Sequence, residues 1–170
     1  KRYFVSVWNH GNGWHKNKPL PGGIQINDIS YDDKTGNKIT TEQLGIAMGE
    51  FAKILGRKVD LYGSDACLMS MVEVASEMSD SVSYFAGSQE VEPGYGWPYS
   101  TFIKEWTKNA NIEGDKLGDI LATEYLKAYS GGIYGQNSVT FSILNLNKIS
   151  QFENSVSSLA QELKTLTAGE

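Results

Sequence analysis

Two stretches of this chain have the same design: an apolar strand that ends in a turn of small residues carrying one reactive side chain. The first is Tyr3-Phe4-Val5-Ser6-Val7-Trp8-Asn9-His10-Gly11-Asn12-Gly13-Trp14. The second is Val59-Asp60-Leu61-Tyr62-Gly63-Ser64-Asp65-Ala66-Cys67-Leu68-Met69-Ser70, and it holds the chain's only cysteine. Each opens with the β-branched and aromatic residues of a buried strand. Gly11 and Gly13 then permit positive φ or close approach of another backbone. If the two strands lie side by side and parallel, their carboxyl ends bring His10 and Cys67 to one edge of one sheet. Open α/β sheets bind their ligands at that edge.

The rest of the chain alternates helices with strands. Thr40-Thr41-Glu42-Gln43 forms a capping box, with Gln43 three residues after Thr40. Leu44, Ala47, Met48, Phe51, Ile54 and Leu55 recur at helical spacing, and Gly56 ends the helix. The pattern predicts a second helix over 68–78, opening just after Cys67, and a strand over 82–86. Residues 87–99 are too rich in Gly and Pro for a regular element. Helices follow over 100–108 and 115–129, a strand over 138–144 and an amphipathic helix over 147–166. A short edge strand is expected over 24–29, inside a long loop over 14–38. Such alternation implies an α/β fold: a mainly parallel sheet with right-handed crossovers and helices on both faces.

The chain's 170 residues suit a single domain, 1–170, and no boundary interrupts it. Net charge of −5 argues against a nucleic-acid partner, which would need clustered Lys and Arg. No apolar run approaches the roughly 20 residues that span a bilayer. One cysteine excludes an internal disulfide and a cysteine-rich zinc site. The first strand begins almost at once, so further chain is expected before Lys1.

The chemistry follows from the shared edge. A thiolate is the nucleophile, and a helix N-terminus or a nearby imidazolium lowers the ordinary thiol pKa of about 8.5. With a helix opening behind Cys67, its N–H groups would face the sulfur. The backbone N–H groups of Gly11 and Cys67 could hold an oxyanion, and His10 could serve as acid and base. A lone cysteine is more often a small buried hydrophobe, and a lone histidine is often an ordinary strand-end residue. Their pairing at matching strand ends is what favours a cysteine peptidase. His15 is a rival base in the loop after Trp14, and Asn9, His10 and His15 lack a third metal ligand. A basic substrate side chain would need a carboxylate, and Asp65 lies on the same turn as Cys67. Its structural alternative is a turn residue capping the following helix. Glu90 and Glu92 lie on the next loop. The aromatic run Tyr95, Trp97, Tyr99 suits loop packing, the wall of a cleft or a sugar-binding platform.

The His10-Gly11-x-Gly13-Trp14 motif and the Asp65-Ala66-Cys67-Leu68-Met69 motif, 57 residues from His10 to Cys67, resemble those of the clostripain family of cysteine peptidases. Further matches are Asp32-Asp33 with Gly36, the 40–55 helix, and Gly87-Ser88-Gln89-Glu90 with Pro93-Gly94-Tyr95-Gly96-Trp97-Pro98-Tyr99. The resemblance covers most of 3–102. It implies a caspase-like three-layer sandwich and a bacterial, secreted or cell-surface endopeptidase that cleaves after Arg or Lys. It gives His10 and Cys67 as catalytic residues and Ser88 as a hydrogen-bonding group of the substrate pocket; the residues themselves offer Asp65 first and Glu90 second as the carboxylate that binds substrate, with Trp97 as a wall of the cleft. It also implies an absent N-terminal strand and helix, and self-cleavage near Lys16, Lys18, Lys34 or Lys38. The partners would then be a peptide substrate and other fragments of a processed precursor. Some relatives require calcium; no Asp-rich loop of the EF-hand kind is present, and Asp28, Asp32 and Asp33 form only a weak candidate cluster. No other cofactor is expected. The alternatives are a non-catalytic glycan- or protein-binding domain on the same fold, or a cysteine amidase or transpeptidase.

Overall fold

In a computed structural model the described residues are 1–14, 29–32 and 34–167. The elements run β1 (Phe4–Trp8), α1 (Thr41–Leu55), β2 (Val59–Asp65), α2 (Val72–Glu77), β3 (Val82–Gly87), α3 (Tyr99–Trp106), α4 (Gly114–Tyr129), β4 (Ser130–Gly132), β5 (Gly135–Gln136), β6 (Ser142–Asn145) and α5 (Ile149–Thr167). A four-stranded sheet has the order β1-β2-β3-β6. Its first three strands are parallel, and β6 runs antiparallel to β3.

β2 is buried along its whole length. Its side chains alternate between two cores. On one face Tyr62 and Phe85 pack with Leu44 and Met48 of α1 and with Val74 and Ala75 of α2. On the other, Leu61 and Ala86 pack with Phe102 of α3 and with Leu117, Leu121 and Tyr125 of α4. Each fully buried Leu or Phe contributes about 1.5–3 kcal/mol. The result is the expected α/β three-layer sandwich.

The base of the β1–β2 pair is fixed by charge. The buried carboxylate of Asp60 accepts from Arg2 Nη1 at 3.0 Å, from Arg57 Nη2 at 2.8 Å and from the Tyr3 N–H at 2.9 Å. Burial alone would raise its pKa. The Arg57, Tyr3 and Arg2 donors outweigh burial and hold it below the ordinary carboxylate range.

The capping box of α1 forms as the sequence predicts. Thr40 Oγ1 accepts from the Gln43 N–H at 3.2 Å, and Gln43 Oε1 accepts from the Thr40 N–H at 3.0 Å. Gly56 closes the helix in the left-handed region, φ 68°. The buried stripe of α1 is Thr41, Leu44, Gly45 and Met48, so Phe51 and Ile54 of the expected face point outward. The expected strand over 138–144 is a shorter one, β6, and antiparallel. Two helices rather than one separate β3 from β6, so the chain reverses once more before it re-enters the sheet. The small β4–β5 hairpin is invisible in the sequence pattern because its residues Ser130–Gly132 and Gly135–Gln136 are exposed and glycine-rich. Of the expected 24–29 strand only Ile29 lies among the described residues. It is fully buried and bridges Gly11 and Ile39.

Candidate active site

β1 and β2 end level with one another. Trp8 is the register partner of Asp65, and the Asn9 N–H donates to the Asp65 carbonyl at 3.3 Å. Beyond that point both chains leave the sheet at its carboxyl edge. His10 and Cys67, each two residues further on, line one cavity of about 350 Å³ with Asp65, Glu92, Trp8 and Tyr31. His10 is exposed; its N–H bonds Asn9 Oδ1 at 2.6 Å, and its carbonyl accepts from the Ser30 N–H at 3.1 Å. Gly11 lies flat against the second turn. A Cβ there would stand 2.6 Å from the Cys67 carbonyl oxygen and 2.8 Å from Met69 Cγ. Only glycine allows the two turns to approach so closely.

The segment after Cys67 departs from expectation. No helix opens at Leu68; α2 begins only at Val72 and has six residues. Leu68 adopts a left-handed conformation, φ 62°. Its N–H then reaches the Glu90 carbonyl at 3.2 Å, and the Ser70 N–H reaches the Ser88 carbonyl at 3.0 Å. Residues 68–70 thus pair with the loop after β3 instead of turning helically. Cys67 therefore lacks the helix N-terminus that its sequence context suggests. Its sulfur accepts the Glu92 N–H at 3.3 Å, and the thiol lies 3.9 Å from the Glu92 carbonyl. Burial pushes the thiol's pKa up; the Glu92 N–H opposes this, and the neighbouring acids Glu92 and Asp65 add to the rise.

Asp65 is buried at the floor of the cavity. Its Oδ2 accepts the Trp97 N–H at 3.1 Å. Gly96, φ 62°, covers it so closely that a Cβ would lie 2.9 Å from Oδ1. Glu92 stands beside it, with Oε1 accepting the Trp97 indole N–H at 3.2 Å. Burial and the adjacent Asp65 push the Glu92 carboxyl up to about 9. Burial raises Asp65 as well, opposed by the nearby Glu92 carboxyl, the Trp97 N–H and the nearby Tyr99 hydroxyl. Burial and the neighbouring Asp65 thus favour the protonated form of Glu92.

Glu92 is the residue that sequence reasoning underweighted. Glu90 and Glu92 are interchangeable in a Gly- and Pro-rich loop until the loop's path is known. The path turns Glu90 outward, where its N–H bonds Ser88 Oγ at 3.2 Å and Thr140 Oγ1 at 3.1 Å. Ser88 is buried but lines no part of the cavity; its hydroxyl lies 2.8 Å from that of Thr140 and donates to the Glu90 carbonyl at 3.0 Å. Both residues brace the loop. Trp97 spans the two carboxyls and lines a second cavity of about 320 Å³ with Tyr95, Tyr99 and Tyr134, which shares Trp8 and Asp65 with the first. Tyr95 and Tyr134 stack there at 5.1 Å.

His15, Asp28, Asp33, Lys16 and Lys18 lie outside the described residues. Asp32 is exposed, and its carboxylate accepts from the Lys34 N–H at 3.0 Å and from Thr35 Oγ1 at 2.5 Å. Among the described residues no group of three His, Cys, Asp or Glu side chains could hold a metal ion. Among them, too, no helix is long and apolar enough to cross a membrane.

Comparison with curated protein sequences gave no match. Solved structures share the fold. A secreted C11 cysteine protease from Bacteroides thetaiotaomicron, in complex with an irreversible peptide inhibitor, superposes with a TM-score of 0.68 at 22% identity over 88% of this chain and 41% of its own. A structure of a secreted C11 cysteine protease from the same organism, "iotapain", gives 0.70 at 18% identity, over 95% of this chain and 44% of its own. An inactive zymogen C11 protease from Parabacteroides distasonis gives 0.52 at 20%, over 88% and 36%. The chain thus spans less than half the length of these relatives. The family model described as the clostripain family matches residues 1–169. The α/β sandwich with a cysteine and a histidine at one sheet edge therefore has a family to go with it: this chain belongs to the clostripain family of peptidases.

Proposed function

We propose that the protein is a clostripain-type cysteine endopeptidase that cleaves after Arg or Lys. The observation that carries this reading is the meeting of His10, Cys67 and Asp65 around one open cavity at the carboxyl edge of the sheet. Cys67 is the nucleophile. His10 takes its proton as the sulfur attacks the scissile carbonyl, then gives that proton to the leaving amine. Water, deprotonated by His10, hydrolyses the thioester and releases the sulfur. The N–H groups of Gly11 and Cys67 stabilise the oxyanion of each tetrahedral intermediate. Asp65, buried in the same cavity, holds the basic side chain that precedes the cut.

Ser88 and Glu90 enter this reading as supports of the loop that carries Glu92 rather than as direct substrate contacts. Secretion rests on the descriptions of the Bacteroides proteins as secreted. Self-cleavage is supported by the zymogen form of the Parabacteroides protein and by the exposed Lys34 turn. A calcium requirement has no donor set among the described residues.

The test is hydrolysis of fluorogenic peptides that differ only in the residue before the cut, with wild type beside Cys67→Ala and His10→Ala. Cleavage after Arg or Lys should fall at least about 1,000-fold in each variant. Cleavage that survives Cys67→Ala, or that ignores the residue before the cut, would remove the proposal. A folded protein that binds these peptides without cleaving them would instead identify a binding domain.

A further inference from the structure

The floor of the cavity holds two carboxyls where one would suffice to neutralise one cation. Asp65 and Glu92 are buried together, and the single residue Trp97 donates to both, from its backbone N–H to Asp65 and from its indole N–H to Glu92. The remaining oxygens, Asp65 Oδ1 and Glu92 Oε2, are buried without a donor from any other described group. Both residues line the cavity that contains Cys67 and His10. An unpaired buried carboxylate is costly, so an empty floor of this kind keeps a proton.

We infer that Glu92 is a second specificity residue: with Asp65 it forms a two-carboxyl floor that holds one proton when empty and releases it to solvent when a basic side chain binds. This rests on the reading of the cavity as the site for Arg or Lys. The balance is simple. One carboxyl O–H bond breaks, its proton leaves to water, and the cation donates its N–H groups to the two oxygens that had no donor. A singly charged pair thus becomes a doubly charged one facing a cation, which neither acid could provide alone. Neutral side chains cannot make this exchange, so the second acid sharpens discrimination as well as binding.

The groups facing the pair are Cys67 and His10 from the turns after β2 and β1, Tyr99 from α3, and Tyr125 and Tyr129 from α4. Burial pushes all three tyrosines up, so they stay neutral throughout the working range. Cys67 and His10 are the groups whose titration must be separated from that of the pair. Removing the thiol deals with the first, and a neutral isostere of the ligand deals with the second.

The experiment is calorimetric binding to the full chain carrying Cys67→Ala, in buffers of different ionisation enthalpy. The probes are two uncleaved peptides that differ only in arginine or citrulline before the scissile bond. The arginine peptide should release close to one more proton than the citrulline peptide at pH 7. Its affinity should rise by up to about tenfold per pH unit towards pH 9, as one-proton linkage requires. Glu92→Gln keeps the size and the Trp97 contact; it should abolish both the extra proton and the slope, and Glu92→Asp should restore part of the slope. Equal proton release by the two peptides, or a slope that persists in Glu92→Gln, would overturn the inference. Parallel kinetics on the protein with Cys67 intact keep the two claims apart. If cleavage after Arg depends on Cys67 while proton release is equal, the peptidase reading stands and the shared-proton floor falls. If no cleavage after Arg occurs, the reading itself fails.

Discussion

The backbone N–H of Glu92 donates to the sulfur of Cys67 at 3.3 Å, so the residue beside Asp65 also clasps the thiol. In this state Cys67 is a guarded thiol, raised by burial rather than lowered by a helix. Alkylation of the unliganded protein by iodoacetamide should therefore be slow at pH 7 and accelerate with pH through a midpoint above that of free cysteine, about 8.5. A midpoint well below neutrality would show that Cys67 rests as a thiolate and that the clasp is not its ground state.

Gly11 is the point at which the two turns touch. Gly11→Ala would place a methyl group 2.6 Å from the Cys67 carbonyl, so one turn must shift. A displacement of about 1 Å in a reacting group is worth about 100-fold in rate. The expected outcome is a fall in kcat of that order with little change in Tm, read by steady-state kinetics beside thermal unfolding.

Asp60 ties Arg2 and Arg57 to the start of β1. Asp60→Asn should cost about 3 kcal/mol at pH 7, because it strips the charge from a buried, multiply bonded partner. The folded carboxyl lies below its unfolded value of about 3.9, so its contribution is present above that pH. It is lost as pH falls through the folded value. Urea unfolding of both proteins at pH 7 and at pH 3 should show the gap narrowing at the lower pH.

Thr40 caps α1 from the exposed side, where packing has little say. Thr40→Ala should cost about 1 kcal/mol, a downward shift of a few degrees in Tm with unchanged kcat. A loss of activity in this variant would mean that α1 is coupled to the site more tightly than its position indicates.

The sheet edge was legible because it rests on local signals. Two apolar runs end in small residues, and the parallel pairing of β1 with β2 then places His10 beside Cys67. The capping box of Thr40 and Gln43 is equally local. What the pattern could not supply were the outcomes decided by distant partners. Leu68 has the sequence of a helix start, yet bonds to Glu90 and Ser88 hold it in a left-handed turn. Glu92 faces inward only because Trp97 and Cys67 hold its loop, and nothing local separates it from Glu90. The outward turn of Ile54, 84% exposed, likewise follows from how α1 lies on the sheet rather than from its periodicity.

The level ending of β1 and β2 has a consequence for assembly. A slip of one residue in that register would carry His10 about 3.3 Å along the strand and turn it to the opposite face of the sheet. No side-chain contact between the two catalytic candidates is then needed to align them; the backbone ladder from Phe4–Leu61 to Trp8–Asp65 acts as the ruler. The ladder joins residues nearly sixty positions apart, so the two turns meet only once that long-range pairing has closed. In the proposed peptidase, strand register therefore decides whether the two catalytic candidates meet at all.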